Sequence, residues 1–231
     1  MKLMERRSLR VVQTAPDDVT TYGTQWPLNA DTMIGMLRLE NIEHCVTSIV
    51  NEDVPGDLIE AGVWRGGSTI FMRGLLKALG DEKRSVFVAD SFEGLPRPSG
   101  RFDRDAADVH HTFDSLRVSL PEVKANFERY GLLDERVHFV KGWFADTLPE
   151  LTDRSFAVVR LDGDMYESTM DGLQSLYPVL SPGGFLIVDD YGNPSTPGAK
   201  HAVDDYRREH DIEEPIQQID WTGVYWRKSQ G

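Results

Sequence analysis

Two apolar segments in the C-terminal half of the chain end abruptly in carboxylates. One spans residues 156–164 and the other residues 185–190. Each apolar run predicts a buried strand, so the acids follow the point where a strand leaves the core. If the two strands are parallel neighbours, up to four carboxylates meet at one sheet edge, where they repel one another unless a cation neutralises them. The pattern indicates a hard divalent metal. The acids are Asp162, Asp164, Asp189 and Asp190.

A glycine-rich turn follows the first predicted strand, at residues 60–68. Glycines at such a turn let a ligand approach the backbone, and the next helix offers free N–H groups at its N-terminus. The turn is neither a G-x-G-x-x-G fingerprint nor a P-loop, which ends in Gly-Lys-Ser/Thr. Glu60, just before Gly62, suits the cationic end of a ligand, such as an ammonium or a sulfonium. The alternative is a tight turn without a ligand.

Two further strand ends carry residues suited to a nucleotide. Asp90 ends the second predicted strand, where an acid can accept hydrogen bonds from both ribose hydroxyls. After the third strand, Gly142 permits close approach, and Trp143 and Phe144 are suited to flanking an adenine ring. Ordinary aromatic core packing is an equal alternative for these two rings.

Alternating strands and helices must position these groups. The pattern predicts a doubly wound, mostly parallel seven-stranded α/β sheet with a C-terminal antiparallel hairpin at residues 216–227, turning at Thr222-Gly223. The predicted parallel strands are residues 57–61, 85–90, 137–140, 156–161 and 185–188. The predicted helices are residues 31–50, 68–79, 117–130, 166–180 and 199–210.

The length of 231 residues indicates one domain. We expect residues 1–30 to form a flap or a disordered segment and residues 31–231 to form a single domain. Residues 93–116 form a long polar stretch, which is typical of a lid. His110 and His111 in this stretch are more often exposed loop residues than catalytic bases.

Composition excludes several classes of function. The formal charge of −13 argues against nucleic acid as a partner, because phosphate binding needs a basic surface. No apolar window is long enough to span a membrane. The single cysteine, Cys45, cannot form an intrachain disulfide and is expected in the core, which fits a reducing compartment and predicts a cytoplasmic location.

Together these motifs resemble the macrocin O-methyltransferase (TylF-type) family of class I methyltransferases. The likeness spans about residue 31 to the C-terminus. The resemblance implies a Rossmann-like fold and methyl transfer from S-adenosylmethionine to sugar hydroxyls of macrolides and related antibiotics. The resembling segments are residues 32–36, 60–67, 89–92, 129–133, 142–144, 161–166, 182–184, 189–191 and 223–226.

The resemblance also implies roles for individual residues. It implies that the methionine part of the cofactor is surrounded by Glu60, Gly62, Arg65, Gly66, Gly67 and Ser68. It implies that Thr32, Met33 and Ile34 reach over the cofactor, that Asp90 and Ser91 contact the ribose, and that Gly142, Trp143, Phe144 and Asp146 border the adenine. It implies metal ligation by Asp162, Asp189 and Asp190.

The expected chemistry is activation of a hydroxyl that is a poor nucleophile when neutral. Magnesium matches oxygen ligands in octahedral geometry, whereas zinc would favour nearby cysteines and histidines. Asp162 is the predicted metal ligand and catalytic base. Asp164 is either the alternative base or an N-cap for the following helix.

The predicted function is metal-dependent methylation of a sugar hydroxyl on a glycosylated secondary metabolite of macrolide or aminocoumarin type. The expected partners are a small glycoside substrate and, in a homodimer, a second copy of the chain. One alternative is a catechol-type O-methyltransferase, whose diol would chelate the same ion. Less favoured are a non-catalytic nucleotide-binding module and a nicotinamide dehydrogenase, against which the missing G-x-G-x-x-G fingerprint counts.

Overall fold

The computed structural model describes residues 17–24, 29–100, 102–106 and 108–230. Within these ranges a seven-stranded sheet has the order β3-β2-β1-β4-β5-β7-β6. Strands β1 to β5 are parallel, and β7 pairs antiparallel with both β5 and β6. The predicted fold class and the C-terminal hairpin are therefore confirmed. The strands are β1 Asp57–Ala61, β2 Val86–Asp90, β3 Val137–Lys141, β4 Phe156–Leu161, β5 Leu180–Val188, β6 Gln217–Gln218 and β7 Val224–Arg227.

Helices cover both faces of this sheet. On β1, Leu58 packs in one cluster with α2 and α3 through Ile42 and Leu76, whereas Ile59 packs in the opposite cluster with α6 through Leu173. This alternation is the period-2 pattern of a strand buried on both sides. The helices are α1 Asp17–Tyr22, α2 Met36–Asn51, α3 Gly67–Ala78, α4 Leu120–Arg129, α5 Phe144–Thr147, α6 Tyr166–Leu176 and α7 Pro197–Glu209.

The strand register brings the chemically interesting residues to one edge. Ala61 of β1 pairs with Leu161 of β4, and Leu161 pairs with Val188 of β5. Gly62, Asp162 and Asp189 are the next residues along the three strands. Because the strands are parallel and in register, these residues leave the core at the same level.

The largest differences from the predicted element boundaries are at β5, at the helix before it and at α2. Strand β5 begins at Leu180 rather than at residue 185, because Leu180 already pairs with Phe156 of β4; the preceding helix accordingly ends at Leu176. Helix α2 begins at Met36 rather than at residue 31. Its N-cap, Gly35, has an extended backbone and packs tightly against the backbone of residues 21–23, which leaves no room for a side chain there.

The segments expected to cover the site have defined structure where they are described. Residues 93–116 contain three short 3₁₀ helices, at Asp103–Asp105, His110–Thr112 and Asp114–Leu116. The N-terminal segment contains α1, while residues 1–16 and 25–28 lie outside the described part of the chain. None of the helices in the described ranges is long and apolar enough to cross a membrane.

Candidate active site

A cavity of about 450 Å³ lies at the C-terminal edge of the parallel strands. This is the edge at which ligands bind in open α/β sheets. Its floor comes from the glycine turn after β1 and from the acids after β4 and β5. Its upper wall comes from the 93–116 segment, the hairpin turn and the N-terminal segment, through residues such as Leu95, His110, Trp221 and Thr24.

Gly62 controls how closely the glycine turn approaches the acid cluster. Its φ of +90° lies in the left-handed region, and a Cβ there would lie 1.9 Å from the carbonyl oxygen of Asp162. Only glycine fits this position. Glycine is therefore required at this position by the neighbouring strand end and not only by a ligand. The sequence pattern alone did not show this.

Asp90 lies beside this turn and shapes the next loop. Its Oδ2 accepts a hydrogen bond from the backbone N–H of Val63 at 2.9 Å, and its Oδ1 accepts one from Phe92 at 2.7 Å. Burial raises the pKa of the Asp90 carboxyl, against the lowering effect of these hydrogen bonds. Trp143, with 38% of its surface exposed, lies on the same cavity wall.

Ten of the predicted cofactor residues line the cavity, and five do not. Glu60 is buried beneath the floor and accepts hydrogen bonds from Ser68, Thr69 and Arg160. Arg65 lies over the ring of Trp64 at 4.2 Å from the ring centroid. The residues on the wall are Thr32, Met33, Ile34, Gly62, Ser68, Asp90, Ser91, Gly142, Trp143 and Phe144. Those outside it are Glu60, Arg65, Gly66, Gly67 and Asp146.

The three predicted metal ligands come together. Asp162, Asp189 and Asp190 each offer a carboxylate oxygen, and these oxygens lie within 4.8 Å of one another. Burial, with the nearby negative charges of Asp164 and Asp189, raises the pKa of Asp190 to about 8. Burial, followed by the charge of Asp189, holds the pKa of Asp162 well above its usual range. Carboxylates this close together repel one another unless a cation neutralises them, and oxygen ligands suit a hard divalent ion, so this donor set fits Mg²⁺.

Two buried arginines, which the sequence analysis missed, hold this cluster. Arg160 donates hydrogen bonds to Glu60, Asp189 and Asp162, the last at 3.0 Å. It lies inside an apolar run, and an arginine buried in a strand needs acidic partners, so this residue could have been found from the sequence.

Arg38 lies on the other side of Asp189. Arg38 donates hydrogen bonds to Asp189, Thr222 and Asp220, with the Nε–Oδ2 distance to Asp220 at 2.8 Å. It therefore ties α2 to the end of β5 and to the hairpin turn. These partners are distant in sequence, so only the tertiary structure shows them.

Asp164 is not the N-cap of α6, which corrects one of the two roles considered for it. The N-cap residue is Met165, and its side chain makes no capping hydrogen bond. Instead, Asp105 of the 93–116 segment accepts hydrogen bonds from the N–H groups of Tyr166 and Glu167. Asp164 lines the cavity with a φ of +58°, and burial, followed by the charge of Asp162, holds the pKa of its carboxyl well above the usual range.

The two histidines of the 93–116 segment differ in position. His110 lines the cavity, and its Nδ1 lies 3.0 Å from Oδ2 of Asp108. His111 is not part of the wall; its Nδ1 is buried without a hydrogen-bond partner among the described residues. His110 is therefore the one placed to meet a ligand.

Trp221 forms part of the cavity rim. It is 45% exposed, and its indole N–H donates a hydrogen bond to the carbonyl oxygen of Tyr22 at 3.0 Å. Gly23 and Thr24 line the wall beside it. The hairpin turn and the N-terminal segment thus meet at the mouth of the cavity.

The sequence model of the family described as macrocin O-methyltransferase (TylF) matches residues 1–228. The chain belongs to this family. It is an O-methyltransferase, and membership implies S-adenosylmethionine as the methyl donor. The match begins at the first residue, so the likeness extends beyond the segment from residue 31 onward.

Three characterised relatives are about half identical to the chain. A tetracenomycin-C rhamnosyl 4'-O-methyltransferase of Streptomyces olivaceus is 52% identical, covering 92% of this chain and 81% of the relative. Demethyldecarbamoylnovobiocin O-methyltransferase of Streptomyces niveus is 49% identical, covering 94% and 83%. Mycinamicin III 3''-O-methyltransferase of Micromonospora griseorubida is also 49% identical, covering 92% and 84%.

Solved structures agree with the fold. The O-methyltransferase NovP is 48% identical and superposes with a TM-score of 0.89, covering 93% of this chain and 89% of NovP. The calicheamicin methyltransferase CalS11 is 22% identical with a TM-score of 0.68, covering 83% and 79%, and shows the fold alone.

Proposed function

We propose that this O-methyltransferase transfers the methyl group of S-adenosylmethionine to a sugar hydroxyl of a glycosylated secondary metabolite, and that the transfer depends on a divalent metal. The observation that carries the proposal is the juxtaposition of the carboxylates of Asp162, Asp189 and Asp190 with the glycine turn at Gly62. The relatives, named for tetracenomycin, novobiocin and mycinamicin compounds, support a glycosylated acceptor of the macrolide or aminocoumarin type.

The wall residues are suited to holding the donor. Gly62 and Ser68 would face its methionine part, Asp90 and Ser91 its ribose, and Trp143 with Phe144 its adenine. Glu60 acts from beneath the floor through Ser68, which donates a hydrogen bond to it. S-adenosylmethionine supplies an electrophilic methyl group, so the chain has to place an acceptor oxygen in line with it and exclude water.

The acid cluster is suited to binding Mg²⁺ through Asp162, Asp189 and Asp190. When bound there, the ion would lower the pKa of a coordinated hydroxyl. Arg38 and Arg160 fix the orientation of Asp189 by donating to both of its carboxylate oxygens. This leaves Asp162 and Asp190 as the more adaptable ligands.

Two carboxylates are candidates for the base that takes the hydroxyl proton. Asp162 is the residue predicted first, but one of its oxygens already accepts a hydrogen bond from Arg160 at 3.0 Å. Asp164 lines the cavity, is free of a helix-capping role and has a raised pKa. A general base must lie at the cavity wall with an oxygen available for the proton, so the geometry favours Asp164.

The test is a panel of glycosides and catechols incubated with labelled donor, with and without chelator. We expect label in the glycosides only, loss of turnover after chelation and recovery with Mg²⁺. Label transferred only to catechols would replace the acceptor class by a small aromatic diol. Turnover unaffected by chelator would remove the metal from the proposal. Sedimentation of the same sample would test the predicted homodimer.

A further inference from the structure

Asp105 connects the 93–116 segment to the loop that carries Asp164. Only 3% of its surface is exposed, although it is a charged residue in a largely polar segment. Its Oδ1 accepts a hydrogen bond from the backbone N–H of Tyr166 at 2.6 Å, and its Oδ2 accepts one from Glu167 at 2.9 Å. These are the first two N–H groups of α6, which have no partner within the helix.

The surroundings of Asp105 are shaped to hold it. Gly198, at the start of α7, leaves the space that the Asp105 carboxylate fills. A Cβ on residue 198 would lie 2.6 Å from Oδ1 of Asp105 and 2.5 Å from the N atom of Tyr166. The ring of Phe102 packs against the ring of Tyr166 with centroids 4.6 Å apart. The contact therefore involves a carboxylate, an aromatic pair and a glycine notch, contributed by three separate parts of the chain.

The loop before α6 is short and conformationally demanding. Asp164 has a φ of +58°, a region that non-glycine residues occupy at a cost. Its own N–H donates to Oδ2 of Asp190 at 3.3 Å, and two residues later Tyr166 is held by Asp105. Asp164 thus has an anchor on each side, one from the acid cluster and one from the 93–116 segment.

We propose that Asp105 is a positioning residue for methyl transfer, which fixes the loop of Asp164 against the acceptor side of the cavity by capping α6 from the 93–116 segment. The proposal rests on the proposed function, in which Asp164 faces the acceptor hydroxyl. It assigns the 93–116 segment a catalytic contribution beyond covering the cavity. The donor wall at Gly62 and Asp90 lies outside the contacts of Asp105, so donor binding is independent of it.

Asp105→Ala is tested against Asp103→Ala, which removes an exposed acid from the same 3₁₀ helix. Asp105→Ala is expected to lower kcat roughly 10- to 100-fold, because a small displacement of a reacting group has effects of that size. The KM for the donor and the affinity for S-adenosylhomocysteine are expected to stay at the wild-type level. Asp105→Asn, which keeps one acceptor oxygen, should be intermediate, and Asp103→Ala should match the wild type.

Hydrogen exchange gives a readout that does not require turnover. In Asp105→Ala we expect faster exchange at the amides of Tyr166 and Glu167, with the strands of the sheet unchanged. Asp105→Asn is the second variant; it keeps the size of the side chain and one acceptor oxygen, and should show both effects at intermediate size. It keeps the test decisive if Asp105→Ala does not fold.

Two results would overturn the proposal. One is wild-type kcat in both variants. The other is a loss of donor affinity together with faster hydrogen exchange throughout the sheet, because Asp105 would then support folding only. If the wild-type chain methylates no glycoside, the proposed function fails, and exchange at Tyr166 and Glu167 still decides whether Asp105 fixes the loop.

Discussion

Arg160 donates a hydrogen bond to Glu60, a residue 100 positions earlier in the chain. The other terminal nitrogen of the same guanidinium donates to Asp189. One buried cation therefore connects the floor of the donor turn after β1 with the acid cluster after β4 and β5. Burying two carboxylates at this depth is costly unless a cation compensates their charge.

Replacing Arg160 is expected to reduce stability strongly. Arg160→Met removes a positive charge that compensates the buried carboxylates of Glu60 and Asp189. This should lower the free energy of unfolding by about 3–5 kcal/mol. Urea unfolding followed by circular dichroism measures this. Arg208→Met is the control, because Arg208 pairs with Asp205 on the surface with 75% of its side chain exposed, and should change the free energy by less than about 1 kcal/mol. Equal effects of the two substitutions would contradict the structural role of Arg160.

Asparagine substitutions separate the two candidate bases. Asp164→Asn should lower kcat about 10²- to 10⁴-fold without changing the Mg²⁺ concentration needed for half-maximal rate. Asp162→Asn should raise that concentration, with partial recovery of the rate at high Mg²⁺, because a ligand is lost. Asp153→Asn, whose side chain is 81% exposed in the turn before β4, is the charge-matched control. The reverse pattern would assign the base to Asp162.

Asp90 is expected to contribute to donor affinity. Asp90→Asn replaces the carboxylate and removes one of its two backbone acceptors, so its hold on the backbone at Val63 or Phe92 and the ribose contact should both weaken. A lost hydrogen bond to a charged group costs about 1.5–3 kcal/mol, or roughly 10- to 100-fold in Kd for S-adenosylhomocysteine by calorimetry. Glu93→Gln, with a side chain 62% exposed nearby, serves as the control. An unchanged Kd in Asp90→Asn would remove Asp90 from the donor site.

Trp221 is expected to contact the acceptor. Trp221→Ala should raise the KM for the glycoside about 3- to 10-fold, the equivalent of losing an aromatic contact of roughly 0.5–1.5 kcal/mol, while donor affinity is unchanged. Trp221→Phe keeps an aromatic face and loses only the hydrogen bond to Tyr22, so it should stay near the wild type. If the two variants are equally impaired, the hydrogen bond to Tyr22 matters more than stacking.

The sheet edge was predictable because it depends on local signals. Apolar runs ending at Leu161 and Val188 indicate strands, and parallel pairing then brings the acids after them together, as the structure confirms for Asp162, Asp189 and Asp190. The glycine turn was visible for the same reason, since a strand, three glycines and a helix follow one another directly.

The supporting contacts were not predictable, because they join residues with no relation along the chain. Asp105 is one of several acids in a polar stretch, and only the packed structure shows that it caps α6. Arg38 likewise resembles any charged residue of an amphipathic helix until Asp189 and Asp220 are placed beside it. Arg160 is the exception, since its position within an apolar run already demands acidic partners.

The tight fit of Gly62 against Asp162 has a practical consequence for engineering. Because there is no room for even a methyl group between Gly62 and the backbone of Asp162, the backbone sets the distance between the glycine turn and the acid cluster. Variation that broadens the acceptor range therefore belongs on the opposite wall, around Leu95, His110 and Trp221. Libraries confined to those positions would retain the reaction geometry while changing which sugars and aglycones enter.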